Sequence, residues 1–214
     1  MALLNIFTFI GIIAAAISGA LLGVKKHMDF FGIIILGIAA ALGGGIVRDI
    51  LIGSFPPVAL KMPSYTIAST VAAILVMFFT KRFLNLTKII IFFDALGLGV
   101  FTAVGTNIAL EQPVTSTFMA VAIGVTAGIG GGIIRDILAQ EIPLIFQKEV
   151  YATASIIGAI TLVYSRYLVG GMVPLYICFF TTVTIRLISL YFGINEHGRI
   201  TKEMEERPVE GLKM

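Results

Sequence analysis

Long apolar runs separated by short polar breaks dominate this chain. Seven of them, near 3–23, 30–50, 63–80, 89–110, 116–138, 150–168 and 171–192, are long enough as helices to cross a hydrocarbon core about 30 Å thick. The breaks hold the charges and turn formers: Lys25-Lys26-His27, Pro56-Pro57, Lys81-Arg82, Glu111-Gln112-Pro113, Glu141 to Pro143, and Gly170-Gly171. No basic stretch precedes the first run, Leu3–Val24, and its length suits a span rather than a cleaved signal. The pattern predicts an all-α membrane protein of seven transmembrane helices with a polar tail at 193–214.

The runs repeat. Gly43-Gly44-Gly45-Ile46-Val47-Arg48-Asp49-Ile50-Leu51 returns 87 residues later as Gly130-Gly131-Gly132-Ile133-Ile134-Arg135-Asp136-Ile137-Leu138. Across 41–51 and 128–138, 8 of 11 positions are identical, and the same offset matches Gly37 with Gly124, Pro56 with Pro143 and Lys61 with Lys148. Residues 1–88 and 89–169 therefore form two three-span units, with 170–192 as an added seventh span. Three is odd, so the second unit enters the membrane from the opposite side, giving an inverted repeat. Lys25, Lys26, Lys81, Arg82, Lys88, Lys148 and the tail's basic residues fall on one side, against Lys61 and Arg166 on the other. That bias places the N-terminus outside and the C-terminus in the cytoplasm of a cell membrane.

Composition removes several classes of function. Hydrophobic residues make up 58% and charged residues 13%, with a mean hydropathy of +1.03, whereas soluble domains carry about 25% charged residues. A net charge of +3, scattered along the chain, gives no nucleic-acid surface. Cys178 is the single cysteine, and the two histidines, His27 and His197, stand apart with no acid or cysteine at metal spacing. No phosphate loop, dinucleotide fingerprint or H-E-x-x-H motif occurs, so neither enzyme chemistry nor a resident cofactor is expected.

The residues left for chemistry sit in and around the two cassettes. Three adjacent glycines lower helix stability by about 3 kcal/mol relative to alanine. The triplets Gly43, Gly44, Gly45 and Gly130, Gly131, Gly132 therefore predict breaks in spans 2 and 5, with freed carbonyls turned toward a wet path; the alternative is a kink or a tight crossing. Arg48, Asp49, Arg135 and Asp136 are too costly to leave unpaired in a bilayer. Neighbouring helical positions diverge by about 100°, so each arginine is expected to find an acid or carbonyl on another helix. Lys61 and Lys148, the latter followed by Glu149, head spans 3 and 6, where they either snorkel or shape a pathway mouth. Ser64, Thr66, Ser69, Thr70, Thr153 and Ser155 follow them and could hydrate an ion. Asp94 is the lone acid within span 4, pathway-facing or merely interfacial. Arg186 in span 7 lies near the cytoplasmic face and is read as snorkelling. Small-residue stripes at Gly11, Ala15, Gly19, Gly23 and at Ala95, Gly99, Ala103 predict close helix packing, within one protomer or between subunits.

The doubled Gly-Gly-Gly-Ile-x-Arg-Asp-Ile-Leu cassette in a 3+3+1 layout, with Lys148-Glu149-Val150 opening span 6, resembles the TRIC family of trimeric intracellular cation channels, in its short prokaryotic form. The resemblance runs from about residue 5 to 190 and leaves out the tail. It implies a homotrimer in membrane lipid, with one pore per protomer that passes monovalent cations, potassium included. It also implies no resident cofactor beyond a permeant K⁺ or Na⁺ in the pore, and that Lys148 corresponds to a lipid-contacting lysine. Bacterial small amino-acid (glycine) transporters share the cassette and supply the alternative reading. A non-conducting scaffold that only oligomerises is the third.

Overall fold

The structure, a computed structural model, describes residues 2–79, 86–113, 116–147 and 149–192. The tail 193–214, Lys81, Arg82 and Lys148 lie outside the described residues, and of Glu149 only the backbone is described. Nine helices occur among the described residues: α1 Ala2–Lys25, α2 Phe30–Leu51, α3 Val58–Lys61, α4 Pro63–Phe79, α5 Leu86–Leu110, α6 Thr117–Leu138, α7 Leu144–Gln147, α8 Glu149–Leu168 and α9 Val173–Tyr191. Two of them, α3 and α7, are single turns of four residues in the breaks after spans 2 and 5. Five helices, α1, α2, α5, α6 and α9, are long and apolar enough to cross a membrane. Helix α4 is apolar but has 17 residues, and α8 has 20 with a more polar sequence. Phe30, Phe31, Phe78, Phe118 and Phe180 point outward, as a lipid-facing exterior requires. The chain is an all-helical, multi-pass membrane protein.

The repeat is visible in how helices start and stop. Asp29 caps α2 by accepting the Gly32 N–H at 2.7 Å, and Ser116 caps α6 by accepting the Met119 N–H at 3.2 Å; both capping residues and both donors are 87 positions apart. The two helices end alike, with Gly53 (φ 71°) and Gln140 (φ 54°) in the left-handed region at matched positions. Glycine enters that region freely, while glutamine does so at a steric cost.

Lys25 donates to the Thr87 hydroxyl and Lys26 pairs with Glu141, so the end of α1, the start of α5 and the end of α6 share one end of the bundle. Arg166 donates to Asn107 at the opposite end, joining the ends of α8 and α5. The small-residue stripes pack within the protomer. A Cβ on Gly11 would strike Val100, one on Gly19 the Leu36 carbonyl, and Gly97 lies against Ala15. Helices α1 and α5 are the most buried of the apolar helices; α2 and α6 cross each other and pack against them, with α4, α8 and α9 around this group.

Candidate functional site

The crossing of α2 and α6 is made by the glycine triplets, and it corrects the expectation of broken helices. Both helices run through their triplets without interruption. The propensity argument fails because the missing side chains allow a contact that offsets it. A Cβ on Gly44 would collide with the Ala127 carbonyl, and one on Gly131 with the Ala40 carbonyl; the two contacts exchange under the 87-residue offset. Gly43 faces Ile134, and Gly130 lies against the Gly44 Cα. The third glycines differ: Gly45 meets only an Arg48 nitrogen at 3.9 Å, while a Cβ on Gly132 would lie 2.8 Å from the Tyr151 hydroxyl and 3.5 Å from Asp94 Oδ1. In place of carbonyl-lined breaks, the triplets bring two backbones into direct contact.

One turn beyond the crossing on each helix sits an arginine–aspartate pair, both members buried. Arg48 donates from Nε at 2.9 Å and Nη2 at 2.7 Å to Asp49 Oδ1. Arg135 donates from Nε to Asp136 Oδ1 at 2.8 Å. The expectation that each arginine reaches a different helix therefore fails for Arg48, because the long guanidinium stem can fold back onto the adjacent carboxylate. Each aspartate also bridges to a single-turn helix. Asp49 Oδ2 accepts the Val58 N–H at 2.7 Å, the first amide of α3, and Asp136 Oδ2 accepts the Leu144 N–H at 3.0 Å, the first of α7. Both carboxylates are thereby charge-neutralised and hold the loop that returns the chain to the bundle.

The second centre extends further. Arg135 Nη1 also donates to Asp94 Oδ1 and to the Ser18 hydroxyl, each at 2.6 Å. Ser18 in turn donates to the Ile90 carbonyl at 3.1 Å. Asp94 is thus a buried partner of the cassette, not an interfacial acid. Arg186 is buried as well, with its guanidinium carbon 4.8 Å from the Tyr151 ring centroid. That is a cation–π placement rather than the expected snorkelling. Its three nitrogens and Asp94 Oδ2 make no hydrogen bond among the described residues. Two arginines and two aspartates therefore gather around Tyr151, and their charges cancel.

Two small cavities flank the crossing. One, of about 30 Å³, is lined by Gly45, Arg48, Val58, Tyr65 and Phe101 among others. The other, of about 10 Å³, is lined by Asp94, Gly131, Gly132, Arg135 and Phe101 among others; the smaller has room for about one water. Each cavity contains the third glycine and the arginine of one cassette. Phe101 on α5, itself buried, is the one described residue that lines both.

The structure does not gather the remaining candidates there. Lys61 ends α3 and is exposed, so it closes a single turn instead of heading span 3. Ser64 is exposed and borders an apolar groove between α1 and α4, while Thr66 and Thr70 are half-buried. Ser69 is buried and donates back to the Thr66 carbonyl at 2.9 Å. Thr153 is exposed. Ser155 is buried against the Thr102 hydroxyl at 2.7 Å, tying α8 to α5. Sequence reasoning missed Ser18, Phe101, Tyr151 and the burial of Arg186. For Arg186 a signal existed, because an arginine within an apolar helix needs internal compensation wherever that helix is covered.

Comparison with known proteins matches the family model described as glycine transporter over residues 5–81 and 91–167, one block in each half of the chain. The inner membrane protein YadS of Escherichia coli K12 is 37% identical over 202 residues, covering 89% of this chain and 96% of that protein. A prokaryotic TRIC channel crystallised in 0.5 M KCl superposes with a TM-score of 0.86 at 34% identity, covering 91% of this chain and 99% of the other. The TRIC trimeric intracellular cation channel orthologue from Rhodobacter sphaeroides does so at 0.86 and 29%, covering 90% and 100%.

Proposed function

Because this chain belongs to the TRIC family and matches the glycine transporter family model, we propose that it is a monovalent-cation channel, permeable to potassium, with one pathway in each protomer of a homotrimer. The observation that carries this reading is likeness to cation channels along nine-tenths of the chain at 34% identity. The seven long helices are read as seven spans in an inverted 3+3 repeat plus one, with the N-terminus outside.

The pathway joins the two cassette cavities past Phe101. Both arginines that line it are cancelled by their own aspartates, so a cation entering either cavity meets a neutral pair instead of a bare positive charge. Opening requires α2 and α6 to shift against each other, and the side-chain-free contact at Gly44 and Gly131 allows that sliding without interlocked side chains. Lys61 and Lys148 act at the mouths and lower conductance electrostatically.

Single-channel recording of the purified protein in a planar bilayer under a potassium gradient, with glycine uptake into vesicles measured in parallel, tests the proposal. Unitary currents that reverse near the potassium equilibrium potential are the expected result. A silent bilayer together with saturable glycine uptake would replace the channel with an alternating-access carrier on the same scaffold.

A further inference from the structure

A pocket of about 480 Å³ opens at the end of the bundle where α5 and α8 finish and where α1 and α9 begin. Arg166, Asn107 and Glu111 line its polar side, and Leu4, Met172 and Leu175 are among the apolar residues that line the rest. The first repeat does not carry its polar residues, since the positions 87 residues before Asn107, Glu111 and Arg166 are Ala20, Val24 and Phe79. The pocket exists because the added helix α9 packs against the second repeat.

Arg166 Nη1 donates to Asn107 Oδ1 at 3.0 Å, and Asn107 Nδ2 donates to Glu111 Oε1 at 2.9 Å. The asparagine amide therefore stands between the cation and the anion and holds them apart, although both charges share one wall. Arg166 and Glu111 are exposed, while Asn107 is 9% exposed and fixed by these two bonds. Such a wall offers hydrogen-bond donors to an anionic group and, one amide width away, a carboxylate to a cationic group.

We propose that this pocket binds a zwitterion that carries a primary ammonium and an anionic oxygen group a few bonds apart. Arg166 takes the anionic oxygens and Glu111 takes the ammonium. The chemistry has two sources, the headgroup of an ethanolamine phospholipid and a free small amino acid. The apolar side formed by Leu4, Met172 and Leu175, together with the pocket's place where apolar helices end, suits the lipid, whose glycerol and first methylenes would cover it. The inference does not depend on the channel reading.

Native mass spectrometry of the purified full-length protein tests it, counting retained phosphatidylethanolamine against phosphatidylcholine of the same acyl chains, alongside equilibrium binding of radiolabelled glycine. Choline has no N–H to give Glu111, so a lipid site favours ethanolamine. Glu111→Gln and Arg166→Gln should each weaken that retention by about tenfold or more, the loss of a charge-assisted hydrogen bond, while Arg166→Lys restores part of it. Glycine binding that both variants abolish supports the site with the free amino acid as its source. Equal retention of the two lipids without glycine binding, or binding that neither variant changes in a folded protein, overturns it. Potassium currents recorded on the same variants separate this outcome from failure of the channel.

Discussion

The two cassettes have nearly the same sequence and very different surroundings. At the first, Arg48 meets one acid, Asp49, and borders a cavity of about 30 Å³. At the second, Arg135 is shared among Asp136, Asp94 and Ser18, with Tyr151 and Arg186 behind it. The difference comes from outside the cassettes: the position equivalent to Asp94 is Phe7, that of Tyr151 is Ser64, and that of Ser18 is Gly105. Helix α9, which supplies Arg186, has no counterpart in the first repeat. Duplication conserved the pair that closes each loop, while the divergent helices around it made one copy a simple clamp and the other a charge network.

Removing each arginine probes that difference most strongly. Arg135→Gln leaves Asp94 and Asp136 buried and uncompensated, and should lower stability by about 3–5 kcal/mol. Arg48→Gln strands one acid that still accepts the Val58 amide, and should lower it by about 1–3 kcal/mol. Thermal unfolding in detergent checks the order, and equal losses would mean that the network around Arg135 adds nothing.

The glycines sharpen the comparison at single-methyl resolution. Gly44→Ala and Gly131→Ala drive a Cβ into the opposing carbonyl, so each should destabilise by about 1–3 kcal/mol and by similar amounts. Gly45→Ala meets only an Arg48 nitrogen at 3.9 Å, an ordinary van der Waals contact, and should be neutral or stabilising by up to about 1 kcal/mol. The equivalent Gly132→Ala pushes against Tyr151 and should destabilise. Melting temperatures that move in the same direction for Gly45→Ala and Gly132→Ala would contradict the asymmetry. Smallest of all, Lys61→Ala should leave stability within about 0.5 kcal/mol, since Lys61 is exposed, and should raise potassium conductance if Lys61 shapes the field at a mouth.

Much of this was legible in the sequence. The 87-residue offset marked α2 and α6 as equivalent helices, and the structure gives them matched caps and ends through different residues, Asp29 and Ser116 at the starts and Gly53 and Gln140 at the ends. The glycine triplets misled. Propensity describes an isolated helix, and only the opposing helix shows that a surface without side chains is a contact. Asp94 and Arg186 were visible as charges in apolar helices, but their burial depends on how α5, α8 and α9 pack, which no periodicity in those segments reveals. The single turns α3 and α7 were read as plain separators, since the capping of Val58 by Asp49 and of Leu144 by Asp136 depends on the path of the intervening turn. Phe101 carries no charge, glycine or repeat signal that singles it out in the sequence.

Phe101 is where the central claim is most exposed. Single-channel recording of the native protein and of Phe101→Ala under the same potassium gradient tests directly whether the two cassette cavities are the halves of one pathway. The account predicts potassium-selective unitary currents in both proteins, with a larger unitary conductance or open probability once the side chain between the cavities is gone. Identical currents in both, from a Phe101→Ala protein that remains folded, would place the pathway elsewhere and contradict the account.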